Sequence, residues 1–100
     1  MSSLKLLSKS EGSVMAVSED VRRLVLYAND ISKFSEELSS RSTEVFKIKF
    51  HVSDPLIDDE IVALVRYMNS VVIIARELSA RMNEVAKKLK ECDGRGKYRN

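Results

Sequence analysis

Between Gly12 and Gly94 the chain contains no glycine, and its single proline, Pro55, stands near the middle of that interval. Glycine and proline are the residues that most often end helices and build tight turns. A domain of many short strands needs such residues at each of its turns. A chain of 100 residues suits one small domain, and the scarcity of turn residues predicts that this domain consists of long helices.

The composition is that of an ordinary globular domain, with 44% hydrophobic and 32% charged residues. The single cysteine, Cys92, has no internal disulfide partner, and no paired cysteines indicate a zinc site. The N-terminal segment MSSLKLLSKSEG has too few apolar residues for a signal peptide. The longest apolar run, Val71 to Ala75, is far too short to span a membrane. We therefore predict a soluble cytoplasmic protein without membrane contact.

A partial internal repeat relates the two halves of the chain at an offset of forty residues. The segment LVLYANDISKFSEELSSRSTEVFK aligns with LVRYMNSVVIIARELSARMNEVAK, and twelve positions are identical between residues 13–49 and 53–89. Chance alone would give about two or three identities over this length. The self-similarity predicts two copies of one structural unit.

Each copy carries apolar residues at alternating steps of three and four, which is the spacing of one helix face. In the first copy the stripe comprises Val14, Val17, Val21, Leu24, Ala28, Ile31, Ser35, Leu38, Ser42 and Val45. In the second copy it comprises Ile61, Leu64, Met68, Val71, Ala75, Leu78, Met82, Val85 and Leu89. We predict an all-α antiparallel hairpin at 13–91, with helix 1 at about 14–49, a link at about 50–53 and helix 2 at about 54–91. Flexible segments are predicted at 1–12 and, with basic character, at 92–100.

The start of the second helix is marked by polar and proline residues. Ser53 or Asp54 can accept hydrogen bonds from free backbone N–H groups, and Pro55 suits the first helical position. Ser13 is the corresponding cap for the first helix. The segment FKIKFHV at 46–52 also alternates with the period of a strand, so an intermolecular β-ribbon is the alternative to a helix end there.

Further apolar residues flank both stripes, and helices with such broad apolar surfaces contact more than one neighbour. We predict that two hairpins dimerise into a four-helix bundle. The alternative is a compact monomer of three or four shorter helices, with breaks at Asn29-Asp30 and Ser39-Ser40. The residues predicted to form the core and interface are Leu24, Ile31, Phe34, Leu38, Leu64, Met68, Val71, Leu78, Met82 and Val85.

Catalytic chemistry finds little support in the sequence. His51 is the only histidine, Cys92 has no base close in sequence, and no phosphate-binding or nucleophile motif is present. The charged triplet of Glu37, Arg41 and Glu44 lies on one helix face, where local ion pairs explain it. We predict no enzymatic activity, no metal, no cofactor and no small-molecule substrate.

Two functions fit this architecture. The first is a non-enzymatic assembly or adaptor protein, which either forms a homodimer or docks onto a larger protein subunit. The alternative is an accessory subunit of a nucleic-acid-processing complex, whose basic C-terminus contacts phosphates without sequence selectivity. The candidate phosphate contacts are Lys87, Lys88, Lys90, Arg95, Lys97 and Arg99.

Overall fold

The computed structural model describes residues 9–94 and residue 96, with side chains described for residues 17–93 and 96. The chain forms two α-helices of 40 residues each, α1 (Lys9–Ile48) and α2 (Pro55–Gly94), joined by a 3-10 helix at Lys49–His51. The described residues include no strand. The prediction of an all-α helical hairpin is therefore confirmed for this part of the chain.

α1 begins before its predicted first residue and α2 ends after its predicted last residue, whereas each helix is one residue shorter than predicted at the turn. Residues 9–12, predicted to be flexible, belong to α1, and residues 92–94 belong to α2. The remaining parts of the two predicted flexible segments, 1–8 with 95 and 97–100, lie outside the described residues. The breaks at Asn29-Asp30 and Ser39-Ser40, which the alternative of shorter helices required, do not occur, because α1 continues through both.

The turn into α2 follows the predicted capping chemistry. The backbone N–H of Leu56 donates to Asp54 Oδ1 at 2.9 Å, and the N–H of Asp58 donates to the Asp54 carbonyl oxygen at 3.0 Å. Pro55, which has no N–H to satisfy, is the first residue of the helix. Asp54 rather than Ser53 supplies the side-chain cap.

Residues 46–51 are helical, so the β-ribbon alternative has no counterpart in this structure. The spacing of four residues lets the rings of Phe46 and Phe50 meet edge to face, with centroids 5.9 Å apart. Lys49 Nζ lies 5.5 Å from the Phe46 ring centroid and 3.8 Å from Asp58 Oδ2 at the start of α2. Val52 is the first extended residue, with φ −116° and ψ 134°.

The helix pair divides into two compact parts. The turn half comprises residues 29–79, and the described part of the terminal half comprises residues 9–28 with 80–94 and 96. In the terminal half, Val17, Val21 and Ala86 form a buried cluster against which Leu24 and Leu89 pack. In the turn half the buried side chains are those of Ser35, Ser42, Ile61, Val72, Ala75 and Ser79.

On α1 every residue of the predicted stripe from Val17 to Val45 is buried or half-buried. Four polar residues outside the stripe are half-buried as well, namely Glu19, Asp20, Ser32 and Ser39. On α2 the row of residues that faces α1, which we call the seam, differs from the predicted stripe. It comprises Ile61, Val65, Met68, Val72, Ala75, Ser79, Met82, Ala86 and Leu89, whereas Leu64, Val71, Leu78 and Val85 are exposed. Both rows have steps of three and four and share every seventh residue, so spacing alone does not separate them.

Small residues explain which row faces inward. The α1 seam contains Ala28, Ser35 and Ser42 at intervals of seven, and all three are buried. Buried small residues on α2, such as Ser79 and Ala86, match them. Small side chains at a helix contact shorten the distance between the helix axes. The seam is therefore narrow, and the larger α2 residues beside it remain outside.

The buried serines are compatible with this seam because their hydroxyl groups are hydrogen-bonded. Ser35 Oγ donates to the Ser32 carbonyl oxygen at 2.7 Å, and Ser42 Oγ donates to Asn69 Oδ1 on α2 at 2.8 Å. Among the described side chains that are not exposed, no buried polar atom lacks a hydrogen-bond partner. A satisfied hydroxyl costs far less to bury than an unsatisfied one.

Two substitutions at Ser42 are expected to separate its hydrogen bond from its small size. Ser42→Ala removes the bond to Asn69, which should cost about 1 kcal/mol and lower the melting temperature by about 4–8 °C. Ser42→Leu enlarges by two heavy atoms a side chain that is 3% exposed and should cost a further 1–3 kcal/mol, approximately. Thermal unfolding followed by circular dichroism, at one fixed protein concentration, measures both.

The exposed neighbour Ser40 provides the control, since Ser40→Ala and Ser40→Leu place the same groups on the outside of α1. Both should remain close to the parent protein in stability. If Ser42→Leu is as stable as Ser40→Leu, the seam has space for a leucine side chain at position 42.

Candidate protein-interaction surface

The hairpin exposes more large apolar side chains than it buries. Among the described residues the buried ones larger than alanine are Val17, Val21, Ile61 and Val72. Sixteen others are exposed: Val25, Leu26, Tyr27, Phe34, Phe46, Ile48, Phe50, Leu56, Ile57, Leu64, Tyr67, Val71, Ile73, Ile74, Leu78 and Val85. Single exposed apolar residues are ordinary, so their grouping decides whether they form a site.

The grouping follows from the heptad positions. Seam residues occupy positions a and d, and the flanks of the seam are positions g and e. In the turn half, position a includes Ser35 and Ser42 on α1 and Val65, Val72 and Ser79 on α2. Because the two helices are antiparallel, their g positions lie on one side of the pair and their e positions lie on the other.

The g side of the turn half is apolar at six of its seven positions. Arg41 is the seventh. We call the six residues the apolar face: Phe34, Ile48, Ile57, Leu64, Val71 and Leu78. Each is between 43% and 50% exposed. Beside them on α2, Tyr67 and Ile74 are 74% and 63% exposed, which widens the apolar surface on that helix.

The e side of the turn half is mainly polar. It carries Ser32 and Ser39 on α1 and Asn69 and Arg76 on α2, and the hydrogen bond from Ser42 to Asn69 lies on this side. Phe46 and Val62 are the apolar exceptions close to the turn, where the Phe46 ring contacts Phe50. The hairpin thus has two unlike sides in this half, and only the g side offers a continuous apolar surface.

The ten residues predicted as core and interface fall into two groups. Five are half-buried between the helices, namely Leu24, Ile31, Leu38, Met68 and Met82. The other five are exposed, namely Phe34, Leu64, Val71, Leu78 and Val85. The sequence pattern selected both groups without separating the seam of the hairpin from its outer surface. Ile48 and Ile57, which complete the apolar face, were not selected.

Several charged residues of α1 form local pairs along that helix. Arg22 donates a hydrogen bond to Glu19, and this bond, together with the charge of Arg22, lowers the pKa of Glu19 below its ordinary value. Lys47 Nζ lies 3.4 Å from Glu44 Oε1. A depression of about 310 Å³ is lined by Glu36, Glu37, Ser40, Arg41 and Glu44. Because these five residues come from α1 alone, the depression lies along a helix surface and does not form a cleft.

Other predicted functional residues are dispersed. His51 is exposed in the 3-10 helix, and the thiol of Cys92 belongs to a half-buried residue near the end of α2. Within the described residues, no group of three or more His, Cys, Asp or Glu side chains is placed to hold a metal ion. Lys87, Lys88 and Lys90 are exposed on α2, whereas Arg95, Lys97 and Arg99 lie outside the described residues. Phosphate contact by these residues stays a prediction.

Neither described helix contains a stretch that combines the length and the apolar character needed to cross a bilayer. Comparisons of the chain with protein-family models, with curated proteins and with solved structures give no match.

Proposed function

We propose that this protein is a non-enzymatic helical assembly or adaptor protein, which uses its apolar face to bind other helices. The bound helices belong either to a second copy of the chain or to a larger protein subunit. The observation that carries the proposal is the alignment of six half-exposed apolar side chains on one side of the hairpin, opposite a mainly polar side.

The size of the face supports binding. Six side chains of this size at half exposure leave on the order of 500 Å² in contact with water, which is in the range of apolar patches that mark interaction sites. Covering that area would contribute about 12 kcal/mol. Association costs about 4–15 kcal/mol in lost freedom of motion, so a stable complex also needs the partner to bury a fitting apolar surface of its own.

The internal repeat adds a second argument. At the offset of forty residues, Leu64, Val71, Leu78 and Val85 correspond to Leu24, Ile31, Leu38 and Val45. On α1 these positions are half-buried against α2, whereas on α2 they are exposed. If the two helices are copies of one unit, α2 presents to the outside a row of residues whose counterparts on α1 face a helix. Such a row suits contact with a further helix.

Sedimentation equilibrium of the full chain tests self-association directly. A mass above the 11.3 kDa of one chain, falling on dilution, is expected if a second copy binds. For docking to a larger subunit, the measurement is affinity capture from the native host by the parent chain and by Leu64→Asp, compared side by side. A chain that stays at the mass of one copy and retrieves the same proteins with and without the substitution would contradict both forms of the proposal.

A further inference from the structure

We infer that the apolar face is covered by a second copy of this chain, with the two α2 helices packed antiparallel across a two-fold axis at Val71. This inference rests on the proposed function and specifies its partner and contact. The contact lies within the turn half of each copy, so two hairpins joined in this way form a four-helix bundle with the α2 helices at its centre.

The first support is the symmetry of the outer row on α2. Exposed apolar residues follow one another at steps of three, four, three and four: Leu64, Tyr67, Val71, Ile74 and Leu78. A two-fold rotation about an axis through Val71 places each residue of this row opposite another residue of the row in the second copy, to within one position. Leu64 then lies opposite Leu78 of the second copy, and Tyr67 lies opposite Ile74. A two-fold interface requires one patch to fit a copy of itself, and this row pairs Tyr67 with the smaller Ile74 beside the axis and leucine with leucine at its ends.

The second support is the distribution of charge. No charged residue interrupts the row between Leu64 and Leu78, since Arg66, Arg76 and Glu77 occupy other positions around the helix. Close to a two-fold axis, each charged residue lies near the same residue of the second copy, and the repulsion between the two like charges is unfavourable. Charges of both signs lie instead on the α1 side of the face, where Glu37, Arg41 and Glu44 are exposed. An apolar centre with a charged border is the usual composition of a protein interface.

The third support is the available area. The apolar face with Tyr67 and Ile74 exposes about 800 Å² on each copy, which equals the share of one partner in a standard stable interface. Within the turn half, a second copy covers this surface from Leu64 to Leu78 because it offers the same stretch of helix. A short peptide or a single contacting loop would leave much of it in water.

Disulfide trapping tests the position of the axis. The Cys92→Ser substitution removes the single thiol of the chain. In that background, Val71→Cys introduces a thiol that would lie beside the same thiol of the second copy. A disulfide forms when the two Cα atoms lie within about 4.4–6.8 Å of each other. We expect Val71→Cys to form a covalent dimer under mild oxidation at low protein concentration. Ser70→Cys, which is exposed one residue earlier in α2, should cross-link at least about tenfold more slowly because its side chain points away from the axis.

A mixing experiment tests the antiparallel register independently. Leu64→Cys and Leu78→Cys, each in the Cys92→Ser background and distinguished by a mass tag, should cross-link with one another far more than either does with itself. In an arrangement with parallel α2 helices, each would cross-link with itself. Because Leu64, Val71 and Leu78 are at least 43% exposed, their cysteine variants should retain the helical circular dichroism of the parent chain.

The outcomes separate this inference from the proposed function. A dimeric parent chain with equal cross-linking of Val71→Cys and Ser70→Cys would overturn the inference and leave assembly through another surface. A monomeric parent chain would also overturn it, and docking to a larger subunit would remain. Preferential cross-linking at Val71 together with the mixed Leu64–Leu78 product would establish both the second copy and the register.

Discussion

Leu78→Asp is expected to give a folded hairpin that no longer associates. Leu78 is 46% exposed and lies beside the seam, not within it, so a carboxylate at this position reaches water in the single chain. In the proposed assembly the same carboxylate would be covered by apolar side chains. An uncompensated buried charge costs about 3–5 kcal/mol, which raises the dissociation constant by a factor of about a hundred or more. Sedimentation should report the mass of one chain, and circular dichroism should report unchanged helicity.

Ser70→Asp is the matched control for this substitution. It introduces the same charge on α2, at an exposed residue on the outer side of the helix, and should leave the mass of the assembly unchanged. A Leu78→Asp variant that remains a helical oligomer of parent mass would show that the apolar face is not the contact. Loss of helicity would instead place Leu78 in the interior of the hairpin.

Sequence reasoning predicts the hairpin well because its signals are local. Asp54 and Pro55 mark the start of α2 through the chemistry of their own backbone and side-chain groups. The long interval without glycine specifies continuous helices, and the α1 stripe gives the correct seam from Val17 to Val45. None of these features depends on which face of α2 packs against α1.

The sequence pattern does not identify the seam of α2, because the seam depends on such a pairing. The predicted stripe follows large apolar residues and therefore includes Leu78 and Val85 but not Ser79 and Ala86. The buried row on α1 is lined by Ala28, Ser35 and Ser42, and helices that meet through small residues approach closely. Ser79 and Ala86 fit that approach. A signal was present in the sequence, because small residues recur every seven positions on both helices.

The same ambiguity concealed the interaction surface. The sequence pattern places Leu64, Val71 and Leu78 in one set of core and interface residues, which does not separate the outer side of α2 from its seam. In the structure these residues are exposed and lie with Phe34 and Ile48 of α1 on the g side. A predicted core row therefore becomes a candidate interface row, and the association inferred from a broad apolar surface acquires a defined location.

Aspartate at two consecutive positions of α2 should affect the free energy of unfolding very differently. Ala86 is 3% exposed and packs with Val17 and Val21, whereas Val85 is 50% exposed. Ala86→Asp therefore places a charge among apolar side chains, at a cost of about 3–5 kcal/mol, which is comparable to the whole stability of a small domain. Val85→Asp should change the free energy of unfolding by less than about 1 kcal/mol. Urea unfolding followed by circular dichroism measures both.

The pH dependence distinguishes the buried charge of Ala86→Asp from its added volume. Burial among apolar groups raises the pKa of an introduced carboxyl in the folded state above its value in the unfolded chain. The unfolded state then binds fewer protons than the folded state between these two pKa values, so the stability of the variant should fall as pH rises through that interval and recover on acidification. Ala86→Asn has nearly the same volume and no titrating group, so its stability relative to the parent chain should not follow this pattern. If Val85→Asp unfolds the chain while Ala86→Asp is tolerated, α2 faces α1 through the row that includes Leu78 and Val85, and the apolar face assigned to the g side does not exist.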